Sequence, residues 1–202
     1  MSPSRPLRAD ARRNRDALLA AAREAFLAGE ADAHVDEIAK RAGVAVGTLY
    51  RHFETREALV EEVYRQEVDQ LCAVPSQLLR QHAPAEALRY FLLRLVEHAS
   101  VGKGMAVALE SIMATDSPVF EDARAQLAGA LGQLLEAGAA DGTLRADVGE
   151  RTVLRALGGI CGMRLAEGWE EEAVRITEIL LDGLRYRARA SGRVRTGPGE
   201  SG

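Results

Sequence analysis

The chain has 202 residues, with 26 Lys and Arg against 30 Asp and Glu, a formal charge of −4 and two cysteines. That length can bury a proper core in one or two domains. Cys72 and Cys161 are too few for a disulfide framework and suit a reducing compartment. Met1–Arg15 is too polar for a secretory leader, and Arg155 and Arg164 interrupt the likeliest apolar run, so a cytoplasmic protein without a membrane partner is expected. Charge is unevenly spread: residues 1–15 hold five Arg and one Asp, residues 66–184 carry net −8 and residues 185–202 net +4. An acidic chain can still meet nucleic acid when its cations cluster at one end.

In chain order, residues 1–10 carry Pro3, Pro6 and scattered Arg and read as a flexible basic arm. Leu18, Ala22 and Phe26 at four-residue spacing predict a helix over about Ala11–Ala28, with Gly29 as its stop. Arg12, Arg13 and Arg15 lie in its first turns, where cations oppose the helix dipole. They suit backbone phosphates better than helix stability, the alternative being ordinary solvated charge.

The stretch DEIAKRAGVAVGTLYRHFETR, Asp36–Arg56, organises the rest. Ile38 and Ala42 share one face of a short helix over Asp36–Ala42, which Gly43 can end by taking a positive φ. A second helix over about Ala45–Phe53 follows at the spacing of a helix-turn-helix, whose second helix enters the DNA major groove. At roughly 100° per residue Leu49, Phe53 and Val46 fall on one inward face. Gly47, Thr48, Tyr50, Arg51 and His52 make up the outward face. It contains no carboxylate, as a surface meeting phosphates and base edges requires.

The segment GVAVGTLYRHFETREALV resembles the helix-turn-helix of the TetR family of transcriptional regulators, and the likeness runs from about Ala11 to Tyr64. The remainder is similar in helical pattern, closest to the SbtR-like branch. The resemblance implies an all-α protein: a three-helix DNA-binding domain over 11–65, with its motif at about 34–53, then a helical regulatory and dimerisation domain over 66–190. The implied DNA contacts are Arg12, Arg13, His34, Gly47, Thr48, Tyr50, Arg51, His52 and Arg56. The family usually has Thr or Ser before the first motif helix. Here the pair is His34–Val35, with Glu37 as the capping-box acid. Thr55 is expected to cap the following helix, and Arg56 replaces the family's usual Lys.

Downstream, a helix is expected over about Arg56–Ala73, ending before Pro75, with Leu59, Val63, Val68 and Leu71 inside. Further helical segments fall near Ala85–Ser100, Met105–Ala114, Pro118–Ala137, Gly149–Ala166 and Glu170–Ala190, and Asp141-Gly142 is the clearest turn between them. Residues 191–202 lack an apolar period and read as a disordered tail.

The resemblance implies a pocket for an unidentified small-molecule ligand among the middle helices, with candidates Phe91, Leu95, Met105, Leu109, Met113, Phe120, Leu127, Met163 and Trp169. For each of these, simple core packing is the competing explanation. It also implies a homodimer seam from the last two helices: Leu154, Leu157, Gly158, Cys161, Gly162 and Leu165, with Ile176, Leu180 and Leu184. Gly158, Gly159 and Gly162 inside a helix are unfavourable by about 1 kcal/mol each, and close approach of another helix would offset that.

No zinc, nucleophile-elbow or phosphate-loop pattern occurs, so neither an enzyme nor a cofactor is expected. His82 and His98 read as surface residues, and Cys161 as a small apolar side chain rather than a reactive thiol. The sequence points to a homodimeric repressor of a palindromic double-stranded operator, released by a small ligand. The alternatives are an activator or ligand-independent DNA binder of the same fold, and a helical enzyme or binding module with a vestigial motif.

Overall fold

A computed structural model describes residues 5–30, 33–101, 103–113, 117–162 and 168–186. Every regular element among them is an α-helix: α1 (Arg5–Leu27), α2 (Val35–Arg41), α3 (Val46–His52), α4 (Arg56–Cys72), α5 (Pro75–Gln81), α6 (Pro84–Val101), α7 (Lys103–Met113), α8 (Val119–Ala140), α9 (Glu150–Gly162) and α10 (Trp169–Tyr186). None is long and apolar enough to cross a membrane.

Two elements differ from expectation. The first helix begins at Arg5, so residues 5–10 of the expected flexible arm are helical. Pro6 is tolerated in a first turn, where its missing N–H would have no partner, and the Ala and Arg residues that follow are strong helix formers. Pro75, read only as the end of the preceding helix, opens the seven-residue α5, because its fixed φ suits a first helical position. The tail 191–202 lies outside the described residues.

The described residues form two compact units. One comprises those up to Leu71 together with His98–Gln126, the other Cys72–Glu97 and those from Leu127 on. The first is therefore larger than the expected 11–65 domain, because α7 packs along α1. Its core gathers Leu18, Ala22 and Phe26 of α1, Ile38 of α2, Leu49 of α3, Leu59 and Val63 of α4, and Met105, Ala108 and Ile112 of α7.

In the second unit Leu88 and Phe91 of α6, Leu131 and Leu134 of α8, Val153 and Leu157 of α9 and Leu181 of α10 are buried. Ion pairs of 2.6 Å join α6 to α10 through Glu86–Arg185 and Arg89–Glu178. The Asp141-Gly142 turn forms as read, with Gly142 at φ +76° and the Thr143 N–H donating to Asp141 Oδ1 at 2.9 Å.

The first unit contains one buried charged side chain among the described residues, Glu67, only 4% exposed. The Arg23 guanidinium of α1 pairs with it, and His98 Nε2 of α6 lies 3.2 Å from its Oε2. His98 is thus half-buried and engaged, contrary to the surface reading. Burial pushes the Glu67 carboxyl up, but hydrogen bonds from His98 and Arg23 and their charge outweigh it and hold the group at about 2, below the usual 4.5. A carboxyl lowered on folding stabilises above its unfolded value and loses that contribution as pH falls toward its folded value. Wild-type stability should therefore fall between about pH 4.5 and pH 2 in denaturant titrations. Glu67→Gln should be less stable at neutral pH and show a shallower acid decline.

Candidate nucleic-acid interface

The helix-turn-helix is assembled from two seven-residue helices, α2 and α3, each too short to persist alone in water. Tertiary burial holds them. Ile38 and Leu49 are fully buried and Phe53 nearly so, while Val46 packs against the same core. The turn between them depends on Gly43, at φ +69°, whose N–H donates to the Lys40 carbonyl at 3.1 Å. The next residue's N–H, Val44, donates to the Ala39 carbonyl at 3.0 Å, so the first helix is closed off and the chain redirected within two residues.

With Leu49 and Phe53 inward, the opposite face of α3 is presented outward. Tyr50 is 48% exposed, Gly47 and Arg51 are exposed, and Thr48 and His52 are half-buried. No side chain fills the space a Gly47 Cβ would take, so backbone can be approached closely there. The outward face thus offers a phenol, bare backbone, a guanidinium, a hydroxyl and an imidazole, without a carboxylate.

The flanking residues are less uniform. His34 is exposed at the N-cap of α2 but makes no side-chain cap bond. The expected capping box does not form, because Glu37 instead accepts from Arg41 at 2.8 Å. Arg41 also pairs with Glu30 at 2.5 Å. Thr55 does cap α4, its Oγ1 accepting from the Ala58 N–H at 3.1 Å. Arg56 is half-buried with its guanidinium 5.8 Å from the Phe26 ring centroid.

On α1, Arg12 and Arg13 are exposed, and Arg13 pairs with Asp10. Arg15 points elsewhere. It pairs with Glu62 at 2.7 Å and lies 5.5 Å from the Phe53 ring centroid, so its charge is directed inward. Glu62 is held below the ordinary carboxyl range: burial raises it, and Arg15 and Arg65 more than offset that. Glu67 carries a sequence signal of its burial, since Val63, Glu67 and Leu71 stand four residues apart on the apolar stripe of α4.

The other two candidate sets are divided. Phe91 and Trp169 are buried in the second unit, with Leu95 and Leu127 half-buried. Met105, Leu109 and Phe120 belong instead to the first unit's core, where Phe120 meets Tyr64 at 5.7 Å between ring centroids. They are held there because α7 and the start of α8 pack with the DNA-binding helices. The Met113 side chain and Met163 lie outside the described residues.

Of the seam set, Leu157 and Leu184 are buried within the chain itself. Leu154, Cys161, Ile176 and Leu180 are half-buried and Gly158 is exposed. Ile179, not anticipated, is 69% exposed and shares the Ile176–Leu180 face of α10. Gly162 ends α9, and Leu165 lies outside the described residues.

The geometry is that of a helix-turn-helix DNA-binding unit. The family profile "Bacterial regulatory proteins, tetR family" matches residues 18–63, and "Transcriptional regulator SbtR-like, C-terminal domain" matches residues 83–186. The structure of the TetR transcriptional regulator SCO0520 from Streptomyces coelicolor is 40% identical, with 85% of this chain and 98% of that one covered and a TM-score of 0.70. A TetR transcription regulatory protein from Mycobacterium vanbaalenii is 36% identical over 89% of this chain and 99% of that one, with a TM-score of 0.69. The HTH-type transcriptional regulator SAR0097 of Staphylococcus aureus (strain MRSA252) is 38% identical over 69 residues, which span 36% of that protein. The chain belongs to the TetR family of transcriptional regulators and is a DNA-binding regulator.

Because Gly43 has open space around its Cβ position, replacing it tests backbone strain alone. Gly43→Ala should destabilise by about 1–2 kcal/mol, the cost of an L-residue in the left-handed region, while Gly43→Asn should lose less. Chemical denaturation of the two variants measures the difference.

Proposed function

We propose that the protein is a homodimeric repressor working in the cytoplasm on a palindromic operator, with the outward face of α3 reading bases and a small ligand releasing it. The observation that carries this reading is the α3 face itself: Gly47, Thr48, Tyr50, Arg51 and His52 stand outward with no carboxylate among them. Arg51, near the middle of that face, reads a base edge. Tyr50, His52, Arg56, Arg12, Arg13 and His34 hold the backbone and set the register.

One helix-turn-helix reads only a few base pairs, so specific affinity requires two at a fixed separation. The second copy comes from another subunit. Leu154, Gly158 and Cys161 on α9, with Ile176, Ile179, Leu180 and Gly183 on α10, each line one face of their helix. A 69%-exposed Ile179 supports a covered seam there. The ligand site belongs to the second unit, among Phe91, Leu95, Leu127 and Trp169. Its support is the Trp169 indole Nε1–H, buried with no hydrogen-bond partner among the described residues, a costly state unless an acceptor arrives.

Two measurements test this reading. Arg51→Ala should weaken operator binding by about 1–3 kcal/mol and relax preference at one position per half-site; uniform weakening on all sequences would make Arg51 a backbone contact. Gly158→Arg should fold normally, because Gly158 is exposed with open space around it. In a dimer it would bury an unpaired charge at a cost of several kcal/mol. The variant should sediment as a helical monomer and lose operator binding, and a variant that stays dimeric would place the seam elsewhere.

A further inference from the structure

We infer that Arg15 is a positioning residue for base reading: it sets the orientation of α3 from behind, without touching DNA. The proposal rests on α3 being the reading helix. From its place among the arginines that open α1, Arg15 reads as another phosphate contact. Its geometry says otherwise.

The last residue that anchors α3 is Phe53, the C-cap, whose N–H donates to the Leu49 carbonyl at 2.8 Å. Its ring is buried, and the Arg15 guanidinium lies 5.5 Å from the ring centroid. The same guanidinium reaches Glu62 Oε1 of α4 at 2.7 Å. Glu62 is in turn held by Arg65, at 2.7 Å from its other oxygen. One cation therefore lies against the residue that ends α3 and pairs with α4, while its backbone belongs to α1. His52, on the DNA side, sits against Phe53 with ring centroids 6.4 Å apart. Arg15, Phe53 and His52 form a continuous row of contacts from the rear of the unit to its reading face.

A seven-residue helix has few side chains to fix its angle, so a clamp at its end governs where Arg51 and His52 point. A guanidinium can stack and pair at once, whereas an ammonium keeps the charge but has no planar face. Lysine should therefore fail to replace Arg15.

The test compares wild type, Arg15→Lys, Arg15→Ala, Phe53→Leu and Glu62→Gln by binding to the operator selected with the wild type and to an unrelated duplex, across a salt series, with thermal unfolding alongside. Arg15→Lys and Arg15→Ala should lose about three- to tenfold in operator affinity, the size of one cation–π contact. Their affinity for the unrelated duplex and their slope of log K against log salt should match wild type. Phe53→Leu should show the same selective loss, and adding Arg15→Lys to it should lose little more.

A slope reduced by about 0.9 would make Arg15 a direct phosphate contact. Equal loss on both duplexes, tracking the fraction unfolded, would make it a stability residue only. Full operator affinity in Arg15→Lys would show that charge suffices and overturn the clamp. Should Arg15→Ala fail to fold, Arg15→Lys and Glu62→Gln decide the matter, since Glu62→Gln frees the guanidinium from the other side and should show the same selective loss. Arg51→Ala separates the two levels. If it leaves base preference unchanged, α3 is not the reader and the Arg15 role falls with it, whereas a relaxed preference there with an unaffected Arg15→Lys overturns the Arg15 role alone.

Discussion

The DNA-reading surface depends on burial of apolar side chains from two helices that are individually too short to exist. Seven residues form at most two turns, and the nucleation cost of a helix is not recovered over that length. What maintains α3 is the removal of Leu49 and Phe53 from water into a core supplied by α1, α4 and α7. The polar face acquires its orientation as a consequence. Tyr50, Arg51 and His52 point outward because Leu49 and Phe53 point inward, with about 100° per residue between neighbours. Specificity in such a unit is therefore a property of its core as much as of its surface.

Charge in this unit is used in two ways. Arg12 and Arg51 are exposed, as the DNA contacts proposed for them require. Arg15, Arg23 and Arg56 are directed at Phe53 and Glu62, at Glu67, and at Phe26. Arg15 and Arg23 tie helices together, whereas Arg56, at the start of α4, rests against Phe26. The buried Glu67 carboxylate is tolerable because Arg23 and His98 reach it from α1 and α6. Removing one partner from such a group costs far more than the pair contributes as a whole.

In the second unit the corresponding feature is a buried polar atom with no partner among the described residues. The Trp169 indole sits at the start of α10 and is buried, and its N–H has no acceptor among the described residues. Within the same unit, α6 and α10 are joined by the ion pairs Glu86–Arg185 and Arg89–Glu178.

The sequence by itself determined the all-α class, the helix-turn-helix and the orientation of its reading face, because these follow from local periodicity and one glycine. Gly43 takes the left-handed conformation it was assigned, Thr55 caps α4, and Leu49 and Phe53 are buried as the wheel required. Local rules also misled: proline marked breaks where it opens helices, at Pro6 and Pro75, and Glu37 chose Arg41 over the cap. Tertiary structure alone decided which charges are spent inside. Arg12 and Arg15 are the same residue type three positions apart on α1, and only the nearness of Glu62 and Phe53 to Arg15, 47 and 38 residues away along the chain, separates them. It also decided that Met105, Leu109 and Phe120 pack in the core of the first unit and that Leu157 and Leu184 are buried within their own chain. An apolar side chain carries no mark of its partner. Burial is a property of the neighbours that long-range packing brings, and periodicity within one helix cannot specify them.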